Sequence, residues 1–179
     1  MGFLQPSEGT FEFCATCPVG INCCFRAREL GQVEAPFALE REVGSIAART
    51  GMNIGEFSQV HDGETGEKIR SLRSNGNQCI FYKEHRCSIY AFRPFDCRIF
   101  PFDIFENSDG SFYWILYLDL CPREFSIPAR YQSHFESAKR VLLQMRLSKT
   151  ELHEFASYGN AMKQHRYKIL ERVVLAGDG

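Results

Sequence analysis

The chain lacks several things, and each absence removes a class of function. It has no long apolar run: its longest ones, such as residues 112–118, are far too short to span a bilayer. It has no excess of charge, with 21 Lys and Arg against 22 Asp and Glu and a formal net charge of -1. No global field therefore points to nucleic acid or to an anionic membrane. The N-terminus shows no basic stretch followed by an apolar one, so no signal peptide is expected and the expected setting is cytoplasmic. There is no Gly-x-Gly-x-x-Gly and no Walker loop. The radical-SAM spacing of three and then two residues between cysteines is missing, and so are internal repeats and low-complexity stretches. Tryptophan occurs once, whereas Phe occurs 16 times and Tyr seven.

What remains is a chain of 179 residues, 44% hydrophobic and 24% charged, which is ordinary for a globular protein with a real core. The unusual feature is eight cysteines in two blocks. The first block is Cys14, Cys17, Cys23 and Cys24; the second is Cys79, Cys87, Cys97 and Cys121. Many of the aromatic residues flank them. Thiolates are soft ligands that select zinc, copper(I) or iron–sulfur clusters.

Local signals lay out the elements. Residues 1–13 read as an irregular lead-in and residues 14–24 as a tight loop, with Pro18 and Gly20 as turn formers. A short helix could open at Cys23-Cys24 and end at Gly31. Residues 36–49 carry helical periodicity through Phe37, Leu39, Val43, Ile46 and Ala47, with Gly51 as C-cap. Asn53 and Glu56 form a capping box for a second start, with Phe57 and Val60 as its buried side. Asn75-Gly76 between residues 67–73 and 78–82 signals a hairpin. A second hairpin is expected from residues 99–105 and 111–118 around a turn at 107–110. Residues 88–92 read as one helical turn stopped by Pro94. Residues 128–145 form a helix through Tyr131, Phe135, Ala138, Val141 and Leu142. Ser148 and Glu151 then cap a long last helix running through Phe155, Met162, Ile169 and Val173. The expected architecture is α+β: small antiparallel β-hairpins carrying a Cys-rich metal site, clad by helices, with a C-terminal αα-hairpin. Residues 1–125 would be the metal-binding part and residues 126–179 a helical hairpin packed on it.

The cysteines need an explanation as a set. A Cys-x-x-Cys loop lets two thiolates face one ion. Disulfides would require an oxidising compartment, for which no export signal speaks. A thioredoxin-like pair at Cys14 and Cys17 would need a βαβ context that is not apparent. Buried thiols acting as small hydrophobes could account for one or two of the eight. Metal ligation is the reading that covers the whole set.

The pattern Cys-x-x-Cys followed by Cys-Cys, then Cys79, then Cys87-Ser-Ile-Tyr-Ala-Phe-Arg-Pro-Phe-Asp-Cys97-Arg-Ile-Phe-Pro and a last Cys121-Pro, resembles the YkgJ-like cysteine-cluster family. The resemblance covers about residues 14–122 and leaves out the C-terminal helices. It implies chelation of zinc or iron by these cysteines. The family in turn is similar to the cluster region of flagellin lysine N-methylases, which carry an iron–sulfur cluster; that similarity makes modification of a protein side chain conceivable. The spacing departs at one place. Five residues, 18–22, separate Cys17 from Cys23, where the family's compact form has two.

Between successive cysteines of the second block lie seven, nine and 23 residues, which match no common zinc-finger spacing. The aromatic surround suits a cluster shielded from water. A [4Fe–4S] cluster is therefore preferred to zinc, with all eight cysteines as candidate ligands of one site or two, and one of Cys23 and Cys24 left to a supporting role or a second site. Arg93 and Arg98 flank Cys97 within an aromatic run and are candidates to donate hydrogen bonds around the site. Lys83 and Arg86 read as solvated turn charges. His85 could replace a thiolate but reads better as an exposed turn residue, and His61, His134, His153 and His165 read as structural or surface residues. Asp103 and Asp119 are expected on exposed strand faces rather than acting as bases. The sequence thus reads as a metal-binding protein serving redox or the modification of a partner protein, with a structural zinc module as the rival. A protein partner is expected; nucleic acid and membrane are not.

Overall fold

The computed structural model describes residues 35–63, 66–75, 78–83, 86–118, 128–160 and 166–175. The expected lead-in, the Cys14–Cys24 loop and the short helix ending at Gly31 lie outside these residues, as do His85, Asp119, Cys121 and His165.

Helix α1, Glu40–Thr50, starts four residues later than the expected 36–49: Leu39 is its extended N-cap, and Phe37 makes an isolated β-bridge with Ser71 instead of a helical turn. The Glu42 carboxylate accepts the Leu39 N–H at 3.0 Å, closing the first turn. Gly51 ends the helix with φ 70, a left-handed conformation that glycine adopts without a Cβ penalty, and its N–H returns to the Ala47 carbonyl. Helix α2, Ile54–Phe57, starts where expected, with the Asn53 N–H donating to Glu56 at 2.6 Å. It lasts one turn and leads straight into strand β1, Ser58–Asp62. Val60 therefore does not share the buried side of a helix with Phe57: it sits on the strand, 49% exposed.

Strand β1 pairs antiparallel with β2, Lys68–Leu72. This corrects the first expected hairpin. The segments on either side of Gly76-Asn77, which lie outside the described residues, do pair, but only β3, Ser74–Asn75, and β4, Gln78–Cys79, are involved. The preceding strand turns back onto β1 instead. Its buried residues Ile69, Ser71 and Leu72 are satisfied there, and residues 58–62 are too polar to announce a strand by pattern alone. Strands β5, Tyr82–Lys83, and β6, Arg86–Cys87, make another two-residue ladder, followed by a 3₁₀ turn at Tyr90–Phe92. Pro94 does stop that turn, and it also opens helix α3, Phe95–Ile99. The first expected strand of the second hairpin is shortened accordingly.

That hairpin is otherwise as expected: β7, Phe102–Glu106, runs antiparallel to β8, Phe112–Tyr117, around the turn at 107–110. Helix α4, Pro128–Met145, and helix α5, Lys149–Asn160, follow. The box at the start of α5 is formed: Ser148 N–H donates to Glu151 at 2.8 Å, and Glu151 N–H returns to the Ser148 hydroxyl at 3.1 Å. The chain does not continue as helix through Ile169 and Val173. Residues Tyr167–Arg172 form strand β9 on the open edge of β8, with Ile169 opposite Ile115. A vacant row of backbone groups on β8 outweighs the helical spacing of Ile169 and Val173. The two helices pack chiefly on different partners, α4 on α3 and α5 on β7.

The result is α+β, with helices and small antiparallel sheets around a larger and a smaller apolar core and a minor cluster at Ile115 and Tyr117. The larger core joins Phe37, Phe95, Phe102 and Trp114 to Phe135, Val141, Leu152 and Phe155 of the C-terminal helices. The smaller one joins Val43 and Ile46 of α1 to Phe57, Leu72, Phe81 and Ile89, and Cys79 and Cys87 pack against it. No helix among the described residues is long and apolar enough to cross a membrane.

Candidate metal centre

Three of the candidate ligands, Cys79, Cys87 and Cys97, are described, and none of the three is joined in a disulfide with another of them. Each comes from a separate segment. Cys79 ends β4 opposite Ser74, Cys87 ends β6 opposite Tyr82, and Cys97 sits in the middle of α3. The two ladders are only two residues long, so they need outside anchors. Buried Phe81, Tyr82 and Ile89 supply them, and the Ser88 N–H and hydroxyl both donate to the Phe81 carbonyl, at 2.8 and 3.0 Å.

The thiols lie within electrostatic reach of one another. Burial pushes Cys79 up to about 11; the Phe81 N–H bonded to its sulfur opposes that, and Cys87 adds to it. Cys97 is also raised well above its ordinary value, first by burial, then by Asp96 and by Cys79, with Arg93 opposing. An N–H aimed at a sulfur and a cation beside it both stabilise thiolate, which is the ligating form. The donor chemistry therefore fits a soft metal held partly by these three residues. They do not make a complete site by themselves: no group of three or more His, Cys, Asp or Glu side chains among the described residues forms a ready cation site. Cys14, Cys17, Cys23, Cys24 and Cys121 lie outside the described residues.

The two arginines go to different places. The Arg93 guanidinium lies over the Tyr90 ring at 4.0 Å and acts electrostatically on Cys97. Arg98 donates to the Met145 sulfur at 3.4 Å and faces Glu42. Consecutive helical positions point roughly 100° apart, so Cys97 and Arg98 leave α3 on different sides.

One carboxylate was misplaced by the sequence reading. Asp103 is buried, not on an exposed face. It accepts the Tyr117 hydroxyl at 2.5 Å and the Ile104 N–H at 2.7 Å. Burial pushes it up to about 7, with Asp96 adding to the rise. Its strand face, shared with Phe105 and with Ile115 and Tyr117 opposite, is covered, and strand alternation alone does not say which face is. His134 is also buried and donates to the Phe100 carbonyl at 3.0 Å. His153 pairs with Glu106 and His61 with Ser71.

A family model described as "CxxCxxCC: Putative zinc- or iron-chelating domain" matches residues 13–118. That span covers more than half of the chain and takes in every cysteine except Cys121. No solved structure matches the chain.

Proposed function

This chain belongs to the zinc- or iron-chelating CxxCxxCC family, and from that premise we propose that it holds a [4Fe–4S] cluster through cysteines of both blocks. Such a cluster takes four thiolates; Cys79, Cys87 and Cys97 would be candidates from the second block together with Cys121, and Cys14, Cys17 and one of Cys23 and Cys24 candidates from the first. The observation that carries this reading is the convergence of three cysteines from three separate segments into one another's field. Their apolar setting against Phe81, Ile89 and Phe92 supports a cluster screened from water. When bound, the cluster would supply electron transfer or support the modification of a partner protein. The protein would hold it in place, exclude water and donate hydrogen bonds to its sulfurs. Residues 1–125 would form the metal-binding part, in a reducing cytoplasm, with residues 126–179 packed on it and available to a protein partner.

A second reading is a structural zinc site without catalysis. It is favoured by the two-residue ladders at Cys79 and Cys87, which are too short to be stable unaided and would gain from a metal cross-link. Purification without oxygen separates the two. A brown protein with iron and acid-labile sulfide supports the cluster; a colourless protein with stoichiometric zinc supports the structural site. A protein with neither metal would refute both.

A further inference from the structure

We propose that Glu42 is a positioning residue for the metal: its carboxylate pins the start of the helix that carries Cys97 and so fixes where that thiol stands relative to Cys79 and Cys87. The inference rests on the metal-binding reading above but names a residue far from any cysteine in sequence.

Four observations carry it. First, α3 has five residues, and backbone bonds at its two ends, Arg98 N–H to Pro94 and Phe100 N–H to Asp96, are long at 3.2 Å each. So short a helix does not hold itself in place. Second, Glu42 supplies the missing hold. One oxygen accepts the Phe95 N–H at 2.7 Å, and the other accepts the Leu39 N–H at 3.0 Å. Third, the tie is reciprocal, because Asp96 accepts the Phe37 N–H at 2.8 Å. Residues 37–42 and 95–96 are thus latched twice in opposite directions. Fourth, Glu42 stands on α1, whose Val43 and Ile46 lie in the same small core against which Cys79 and Cys87 pack. The carboxylate therefore links the core holding two thiols to the helix holding the third. A simple helix cap would need only the Leu39 bond; the bond to Phe95 is extra and crosses 53 positions of chain.

Cobalt(II) serves as the probe, added under anaerobic conditions to the metal-free full-length chain. Thiolate-to-cobalt absorption and competition by zinc are read for the wild type, Glu42→Ala, Glu42→Gln and Ser148→Ala. Ser148→Ala removes the hydroxyl acceptor of a comparable cap at the start of α5. Glu42→Ala should weaken cobalt binding by about 10-fold or more and alter the charge-transfer band. Glu42→Gln, which keeps one oxygen acceptor where two are used, should fall between it and the wild type. Ser148→Ala should leave both band and affinity unchanged. If Glu42→Ala binds cobalt with the wild-type band and affinity, or loses no more than Ser148→Ala does, the positioning role is refuted while metal binding stands. If Glu42→Ala does not fold, Glu42→Gln decides, and wild-type behaviour there refutes the role. A wild type without thiolate-to-cobalt absorption would overturn the metal-binding reading itself, and the positioning role with it.

Discussion

Tyr117 donates its hydroxyl to Asp103 across the hairpin at 2.5 Å, joining a phenol and a carboxyl that are both buried. Burial raises the phenol well above its ordinary value and the carboxyl up to about 7. Glu42 is likewise raised to about 7 by burial, against the pull of its two backbone N–H partners. Both carboxyls therefore bind a proton more tightly folded than unfolded. The stability they contribute is fully present below their unfolded values, near 4, and is lost as pH rises to about 7. Asp103→Asn should flatten this part of the stability curve, by on the order of a few kcal/mol between pH 5 and pH 8. Urea unfolding at the two pH values checks it; an unchanged difference between variant and wild type would contradict it.

Removing the phenol tests the same pair from the other side. Tyr117→Phe leaves Asp103 without its hydroxyl donor in a dry site and should cost about 1–3 kcal/mol. Thermal or urea denaturation at neutral pH reads the loss. Combined with Asp103→Asn, the two effects should not add, because the residues share one hydrogen bond.

Metal binding must displace protons, since burial keeps the Cys79 and Cys97 thiols neutral when no metal is bound. Affinity should therefore rise with pH, and Cys79→Ser, Cys87→Ser and Cys97→Ser should each lower metal content. Chelation should loosen the segment from β3 to β6 before the C-terminal helices. Hydrogen exchange on loaded and chelated protein checks the order; uniform protection in both states would count against it.

Arg93 and Arg98 should behave differently. Arg93→Leu removes the cation that acts on Cys97 and should lower metal affinity by about 10-fold. Arg98→Leu removes a group directed at Met145 and Glu42, and its effect on affinity should be smaller. Equal losses in the two variants would contradict this difference.

The two cores should also separate. Leu152→Ala, in the larger core, should cost about 2–5 kcal/mol yet leave the metal content of the folded protein unchanged. Phe81→Ala, in the core beside Cys79 and Cys87, should cost about 3–5 kcal/mol and lower metal content as well.

The features legible from the chain alone are those whose physics is local. Gly51 must end α1 because a left-handed residue is needed there, and Ser148 with Glu151 must open α5 because each bonds the other's backbone. The turn at 107–110 and the pairing of β7 with β8 follow from short-range chemistry too. The cysteine spacing marked the family by the residues themselves. Tertiary structure decided everything that depends on a distant partner. Residues 58–62 became a strand because β2 was there to pair with them, and residues 167–172 left the expected helix because β8 had an open edge. Asp103 was buried by a cover that its own alternation could not reveal, and Arg93 at the end of the 3₁₀ turn and Arg98 on helix α3 went to different partners. The bond from Glu42 to Phe95 is the clearest instance: each residue is unremarkable in its own segment, and only the tertiary fold brings the carboxylate across 53 positions of chain to an N–H in the first turn of the Cys97 helix.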